Sequence, residues 1–319
     1  YNPPGTNEPD VISTASGHVF LVRTPEQFTY DADGNLTSDG RWTYTWDAEN
    51  RLIAAQTATN VATTVPSVRI EFEYDYLWRK VARSQYAQDG TNWVLVCTTR
   101  YLYDGWHVVR ELIADDYTLT TNSYVWGLDI AEQNGSGLAR HSSPGSAAGG
   151  VGGLLAASLT GTNGPVLVLY AYDANGNVSD LIGTNGDILA HYEYEPYGKP
   201  IRATGPLAAV NAFGFSTKPL EPALRRNYYG YRYYSPALGR WLSRDPIGQG
   251  VETRDYFFVA NAPIGNYDKF GLLAVCQSVI AIPGFRQELR NEGTPWWLSL
   301  IHISEPTRLL SISYAVFCL

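Results

Sequence analysis

Residues 28–52, FTYDADGNLTSDGRWTYTWDAENRL, decide how the rest of the chain is read. Tyr30-Asp31 is followed by Gly34-Asn35, and Trp46-Asp47 by Asn50-Arg51. Around these pairs aromatic and polar residues alternate, as they do in strands that bury one face. An Asp in a turn can bond its own backbone and a Gly accepts positive φ, so each copy predicts a β-hairpin. The pattern returns at 171–198, AYDANGNVSDLIGTNGDILAHYEYEPYG, with Tyr172-Asp173 ahead of Gly176-Asn177, and shorter copies begin at Tyr74-Asp75 and Tyr103-Asp104. No hairpin can bury its apolar face alone. The repetition therefore predicts an all-β chain whose hairpins stack into one elongated or closed sheet.

The composition agrees. The chain has 319 residues, 23 Tyr and 9 Trp but only 17% charged residues, a balance that suits pleated, half-buried sheet better than helix. A formal charge of -8, with Lys and Arg dispersed, gives no basic field to attract phosphates, so nucleic acid is not an expected partner. No apolar run is long enough for a membrane-spanning helix, and the opening YNPPGTNEPD lacks the basic and apolar regions of a signal peptide. Cys97, Cys276 and Cys318 are far apart and unmatched to any His spacing, which implies neither a disulfide framework nor a metal site, and no cofactor is expected. Met is absent even at position 1, from which the chain is expected to be a fragment. Residues 298–319, LSLIHISEPTRLLSISYAVFCL, back-translate into the two ends of a sequencing-library adapter and are read as a translation artefact, so Cys318 and His302 are assigned no function.

Other candidate features are weaker. DADGNLTSDG (31–40) could pass for a calcium loop, but an EF-hand needs Gly at its sixth and Glu at its twelfth position, where this chain has Leu36 and Trp42. Glu193 and Glu195 alternate with Tyr192 and Tyr194, which reads as a solvated strand face rather than a glycosidase pair. His18, His107, His141 and His191 are scattered and read as structural. Residues 135–164 are Gly-rich but are interrupted by Val151, Leu154, Leu155 and Leu159, so they are expected to form a loop packed within the domain, ahead of a strand at VLVLYAYD (166–173).

The Tyr-Asp copies resemble the YD repeats of Rhs proteins, and residues 126–272 resemble the Rhs repeat-associated core. The matching blocks are Trp126-Gly-Leu-Asp, GGVGGLLA (149–156), YDANGN (172–177), YEYEPYGKP (192–200), YYGYRYYSPALGRWLSRDPIG (228–248) and DKFGL (268–272). The resemblance implies YD-repeat hairpins over 1–125, the core over 126–272, the opening of a variable C-terminal domain over 273–297, and the artefact over 298–319. It also implies a spiralling β-shell, closed by the core, that encloses the protein's own C-terminal toxin, as in polymorphic toxins and insecticidal toxin complexes. Such a protein is secreted or held at the cell surface, and its further partners are secretion-system or toxin-complex components.

In that family the core cuts its own chain after the Leu of the terminal motif, here between Leu272 and Leu273. Two carboxyls can hydrolyse a peptide bond without metal or nucleophile, one activating water and the other, kept protonated, donating to the leaving group. The resemblance supplies Asp245 and Asp268 as that pair, with Arg232 to orient a carboxylate or stabilise an oxyanion; either Asp can be the base. The implied activity is a single-turnover, aspartic-peptidase-like self-cleavage with no action on other substrates. Where the family motif has Pro after its Asp, this chain has Lys269, which puts the rigidity of the loop in question. The competing expectation is that both Asp residues simply cap turns, Arg232 is a structural ion-pair partner, and the chain is a non-catalytic adhesion protein whose aromatic hairpins bind glycans.

Overall fold

A computed structural model of the chain describes residues 26–58, 67–127, 150–247, 255–272 and 274–276. Fourteen strands form one antiparallel sheet: β1 (Thr29–Tyr30), β2 (Leu36–Ser38), β3 (Trp42–Trp46), β4 (Leu52–Thr57), β5 (Val68–Tyr74), β6 (Lys80–Asp89), β7 (Asn92–Asp104), β8 (His107–Ala114), β9 (Leu119–Trp126), β10 (Leu154–Gly161), β11 (Gly164–Tyr172), β12 (Val178–Gly183), β13 (Ile188–Tyr194) and β14 (Pro200–Thr204). Each pairs with the next in chain order. A four-stranded sheet follows, β15 (Leu220–Glu221), β16 (Arg226–Tyr228), β17 (Tyr233–Ser235) and β18 (Arg240–Trp241), and then a two-stranded one, β19 (Asn266–Asp268) with β20 (Ala274–Cys276). Among the described residues there is no α-helix, so none crosses a membrane as one. The fold is the all-β stack of hairpins that the repeats predict.

The repeat builds the same turn four times. Asp31 Oδ1 accepts the Asn35 amide at 2.8 Å while Asp31 Oδ2 accepts the Asn35 side chain at 3.0 Å. Asp173 does the same with Asn177. At Asp47 and Asp75 an arginine takes the place of the Asn, Arg51 and Arg79 donating both amide and guanidinium. The residue just before that partner has positive φ in every copy, at Gly34, Asn50, Trp78 and Gly176. Trp78 is an awkward occupant of left-handed backbone, but its ring packs on Tyr231 at 5.6 Å and so ties the turn to the C-terminal segment.

The aromatic residues ahead of Asp47, Asp75, Asp104, Gly127 and Asp173 have a separate task. Trp46 Nε1 donates to the Leu36 carbonyl at 2.8 Å, Tyr74 OH to Leu52 at 2.7 Å, Tyr103 OH to Lys80 at 2.8 Å and Trp126 Nε1 to Val108 at 2.8 Å, and Tyr172 OH reaches Leu154. Each bond staples one hairpin to the preceding one, which explains why the position takes Tyr or Trp, aromatics with a polar tip. Register shifts occur at Trp46, Tyr74, Tyr103 and Tyr172, and bulges of this kind bend a sheet.

The bending is large. The β1–β2 and β13–β14 turns stand at opposite ends of the sheet, roughly 50–60 Å apart if it were flat. Yet Tyr256 OH donates to the Gly34 carbonyl at 2.6 Å in the first of these turns, while Tyr197 OH in the last reaches the Asn261 carbonyl at 3.5 Å. Residues 256 and 261 are separated by less than about 18 Å of chain. The sheet is therefore curled around residues 205–247 and 255–272, which pack on its inner face and along the rim of Asp turns. Leu36, Trp42, Leu52 and Phe72 bury against Leu224, Tyr228 and Tyr233, and Leu159, Val168 and Leu181 against Leu207 and Phe213. Burial of each such large side chain contributes about 1.5–3 kcal/mol. Buried ion pairs, Arg83 with Glu221 at 2.8 Å and Arg226 with Asp39 at 3.0 Å, join the same two layers.

One expectation fails. Residues 154–161 are not loop but strand β10, paired on both sides. Leu154, Ala157 and Leu159 face the core, and a register shift between Leu154 and Ala156 breaks the alternation that would have revealed a strand in so Gly- and Ala-rich a stretch. Residues 135–149 of that segment lie outside the described residues, as do His18, His141, Leu273 and residues 277–319, and hence most of 273–297 and all of 298–319. The sheet runs without interruption across the 125/126 boundary, since Trp126 in β9 pairs with Leu154 in β10.

Candidate functional site

Arg232 follows the β16–β17 turn, where the Tyr229 amide bonds the Arg232 carbonyl at 3.0 Å. Its guanidinium is buried and lies 4.2 Å over the Trp241 ring, an arrangement that suits the weakly hydrated, planar cation. All three of its nitrogens are engaged. Nη2 donates to Asp245 Oδ2 at 3.0 Å and lies 3.8 Å from Asp268 Oδ2, Nη1 donates to the Asp255 carbonyl at 2.9 Å, and Nε donates to the carbonyl of Gly271. One side chain thus joins two carboxylates from distant parts of the chain to the residue just before Leu272.

Asp268 ends β19, is 2% exposed, and turns both oxygens to use. Oδ1 accepts the amides of Phe270 at 3.0 Å, Gly271 at 2.6 Å and Leu272 at 3.2 Å, so the carboxylate caps the loop that carries Leu272. Oδ2 faces Arg232. Burial pushes the Asp268 carboxyl above its ordinary value, while the Arg232 charge and the three amides pull it down; burial is the larger effect. Burial likewise lowers Arg232 from its ordinary value, with Asp245 and Asp268 opposing. Asp245 is the more exposed carboxylate of the two, and its Oδ1 caps the Asp-Pro-Ile turn by accepting the Ile247 amide at 3.1 Å. Each Asp therefore serves a turn with one oxygen and faces Arg232 with the other.

Gly271 is required in this loop. Its φ is +76°, and a Cβ there would come 3.2 Å from the backbone nitrogen of Arg232. With Lys269 where the resemblance expects Pro, the amides and carbonyls of the loop are held: besides the Asp268 cap, Tyr231 N–H donates to the Phe270 carbonyl at 3.0 Å and Lys218 Nζ to the Lys269 carbonyl at 2.6 Å. Leu272 is partly buried, β20 pairs back on β19, and Leu273 lies outside the described residues.

The structure thus brings Arg232, Asp245 and Asp268 together beside Leu272. Sequence reasoning missed Trp241, which supports the guanidinium, the Asp255 carbonyl, and Lys218; none has a local signal, since each acts through backbone or ring contacts across the fold. The remaining candidates are elsewhere. Glu193 pairs with His191 at 3.2 Å and Arg202 at 3.0 Å on an open strand face, and His107 stacks on Trp126 at 4.8 Å. Asp31 of the supposed calcium loop is bonded to Asn35, and Cys97 is a free thiol.

No family model matches the chain. In sequence it is 29% identical over 256 residues to the tRNA3(Ser)-specific nuclease WapA of Bacillus spizizenii, covering 77% of this chain and 9% of that protein. It is 25% identical over 268 residues to the double-stranded DNA deaminase toxin A of Burkholderia cenocepacia, covering 80% and 17%, and 43% identical over 65 residues to toxin subunit YenC1 of Yersinia entomophaga, covering 20% and 7%. The chain spans less than a fifth of the length of these relatives. Among solved structures, the TcdB2-TccC3 crystal structure superposes with a TM-score of 0.57 at 21% identity over 76% of this chain and 11% of that one, and the Tc holotoxin pore of Photorhabdus luminescens with 0.58 at 20% over 77% and 11%. The chain is similar in sequence to toxin proteins and has the fold of part of a toxin complex.

Proposed function

We propose that this chain is the closing part of a β-shell that houses a C-terminal effector and severs its own backbone after Leu272. The observation that carries this reading is the single Arg232 guanidinium shared by Asp245, Asp268 and the Gly271 carbonyl. Asp268, buried and pushed upward, is the carboxyl that keeps its proton; Asp245, the more exposed, is the base. Water loses a proton to Asp245 as its oxygen bonds the Leu272 carbonyl carbon, and Arg232 holds the local charge. Asp268 then gives its proton to the Leu273 nitrogen as the C–N bond breaks, leaving a carboxylic acid at Leu272, which returns its proton to Asp268, an amine at Leu273 and a protonated Asp245. The curled sheet and the names of the relatives support a role in a secreted or surface-held toxin, with the effector and toxin-complex components as partners. The boundaries 1–125, 126–272 and 273–297 are proposed on the same basis, with 298–319 as artefact.

Intact-mass measurement of the full 319-residue chain tests it. Wild type should part between Leu272 and Leu273, and Asp268→Asn should stay whole. A wild type that stays whole would leave a non-catalytic repeat protein, and glycan binding by it would favour the adhesion reading.

A further inference from the structure

The loop that carries Leu272 is held by a residue far outside its own motif. Lys218 Nζ donates to the Lys269 carbonyl at 2.6 Å, the Tyr231 amide to Phe270 at 3.0 Å and Arg232 Nε to Gly271, while Asp268 takes the three amides that follow. Every carbonyl from 269 to 271 thus has a donor. Lys218 is 5% exposed, and its ammonium lies 5.4 Å over the Tyr229 ring, so it reaches the loop as a rigid arm.

What aims that arm is the rim of the sheet. Lys218 directly follows Phe215–Thr217, a short 3-10 turn in which Ser216 and Thr217 have φ of 51° and 52°, conformations that non-glycine residues adopt only when their surroundings impose them. Here the Asp173–Asn177 turn imposes them: Asn177 Oδ1 accepts the Ser216 amide at 2.7 Å and Thr217 Oγ1 donates to the Gly176 carbonyl at 2.8 Å. The Gly152 amide donates to Thr217 Oγ1 at 2.7 Å from the approach to β10. A hairpin turn of the repeat, a left-handed turn, a lysine and the loop form one chain of contacts.

We propose that Lys218 is a positioning residue for the self-cleavage and that, through it, docking on the β11–β12 turn sets the rate of the cut. This rests on the self-cleavage reading above. A shell in which that turn is not engaged leaves the Lys269 carbonyl unheld and the cut slow; a closed shell cuts fast. Lys218 takes no proton in the reaction and acts only by fixing the peptide, where small displacements cost large factors in rate.

The test uses the full chain, with the single-turnover rate followed by intact mass across a pH series and the melting temperature measured in parallel. Lys218→Met should slow the cut roughly 10–100-fold without altering the shape of the pH profile, and Lys218→Arg should restore most of the rate. In an uncut Asp245→Asn background the Lys269 carbonyl carbon resonance should move on Lys218→Met and return with Lys218→Arg, a change that general loosening would not confine to that atom. Thr217→Val, which keeps shape but removes the rim bond, should slow the cut and move the same resonance; it decides the matter should Lys218→Met fail to fold. Wild-type rates in both Lys218→Met and Thr217→Val overturn this inference and leave self-cleavage standing. A wild type that does not cut overturns both.

Discussion

Arg232 donates from Nη2 to Asp245 Oδ2 at 3.0 Å while its Nε holds the Gly271 carbonyl. A lysine can supply the charge but not this geometry. Arg232→Lys is expected to lower the self-cleavage rate by about two orders of magnitude. Arg232→Met, which leaves the largely buried Asp245 carboxylate and the Asp255 and Gly271 carbonyls without their donor, should in addition cost about 3–5 kcal/mol in urea unfolding.

The pH dependence follows from Asp268. Because its folded value is raised by burial, the folded state holds this proton more tightly than the unfolded chain, so its contribution to stability is present at low pH and is lost as pH rises through the raised value. The cut needs the same proton, so its rate should fall as pH rises past that raised value. Stability curves of Asp268→Asn should lack this component.

Lys80 is the opposite case. Its ammonium has the rings of Tyr228 at 4.8 Å, Tyr101 at 5.2 Å, Phe72 at 5.3 Å and Tyr233 at 5.8 Å around it, and burial pushes it down to about 8. Glu221 and Glu111 pull upward and Arg83 downward. Between about 8 and the ordinary 10.5 the unfolded chain binds the proton and the folded one does not, so stability should rise with pH across that window. Lys80→Met should abolish the rise and be more stable at pH 7 by on the order of 1–3 kcal/mol, less whatever the four rings return. Denaturant melts at pH 7 and pH 10 check both.

The aromatic staples can be tested one atom at a time. Tyr103→Phe removes only the hydroxyl that bonds the Lys80 carbonyl at 2.8 Å and should cost about 1–2 kcal/mol. Tyr76→Phe, at a position 87% exposed, should change nothing in the same thermal melt.

Gly271→Ala places a methyl 3.2 Å from Arg232 at positive φ. It is expected to destabilise by about 1–3 kcal/mol and to slow the cut, measured by calorimetry and intact mass.

The sheet was legible because its determinants are local. An Asp that bonds Asn35 or Arg51 within its own turn leaves a mark in five consecutive residues, and the alternation of Trp42, Tyr44 and Trp46 marks the strand beside it. Strand β10 was not legible, because its bulge destroyed the period and its composition imitated a loop. Asp245, Asp268 and Arg232 were legible only through family resemblance, for nothing in their neighbours says that they meet. Lys218 was invisible to both approaches: a lysine that grips a main-chain carbonyl imposes no requirement on the side chain of its partner.

The contact of Tyr256 with the first turn and of Asn261 with the last has a temporal meaning. Every strand pair in the large sheet joins neighbours in sequence, so each hairpin can zip as it leaves the ribosome, at the pace of translation. Residues 205–247 and 255–272 are made after all fourteen strands and touch both extremities, so they can seat only when the whole wall stands. The order of synthesis makes this segment a keystone, set in place after the arch is built.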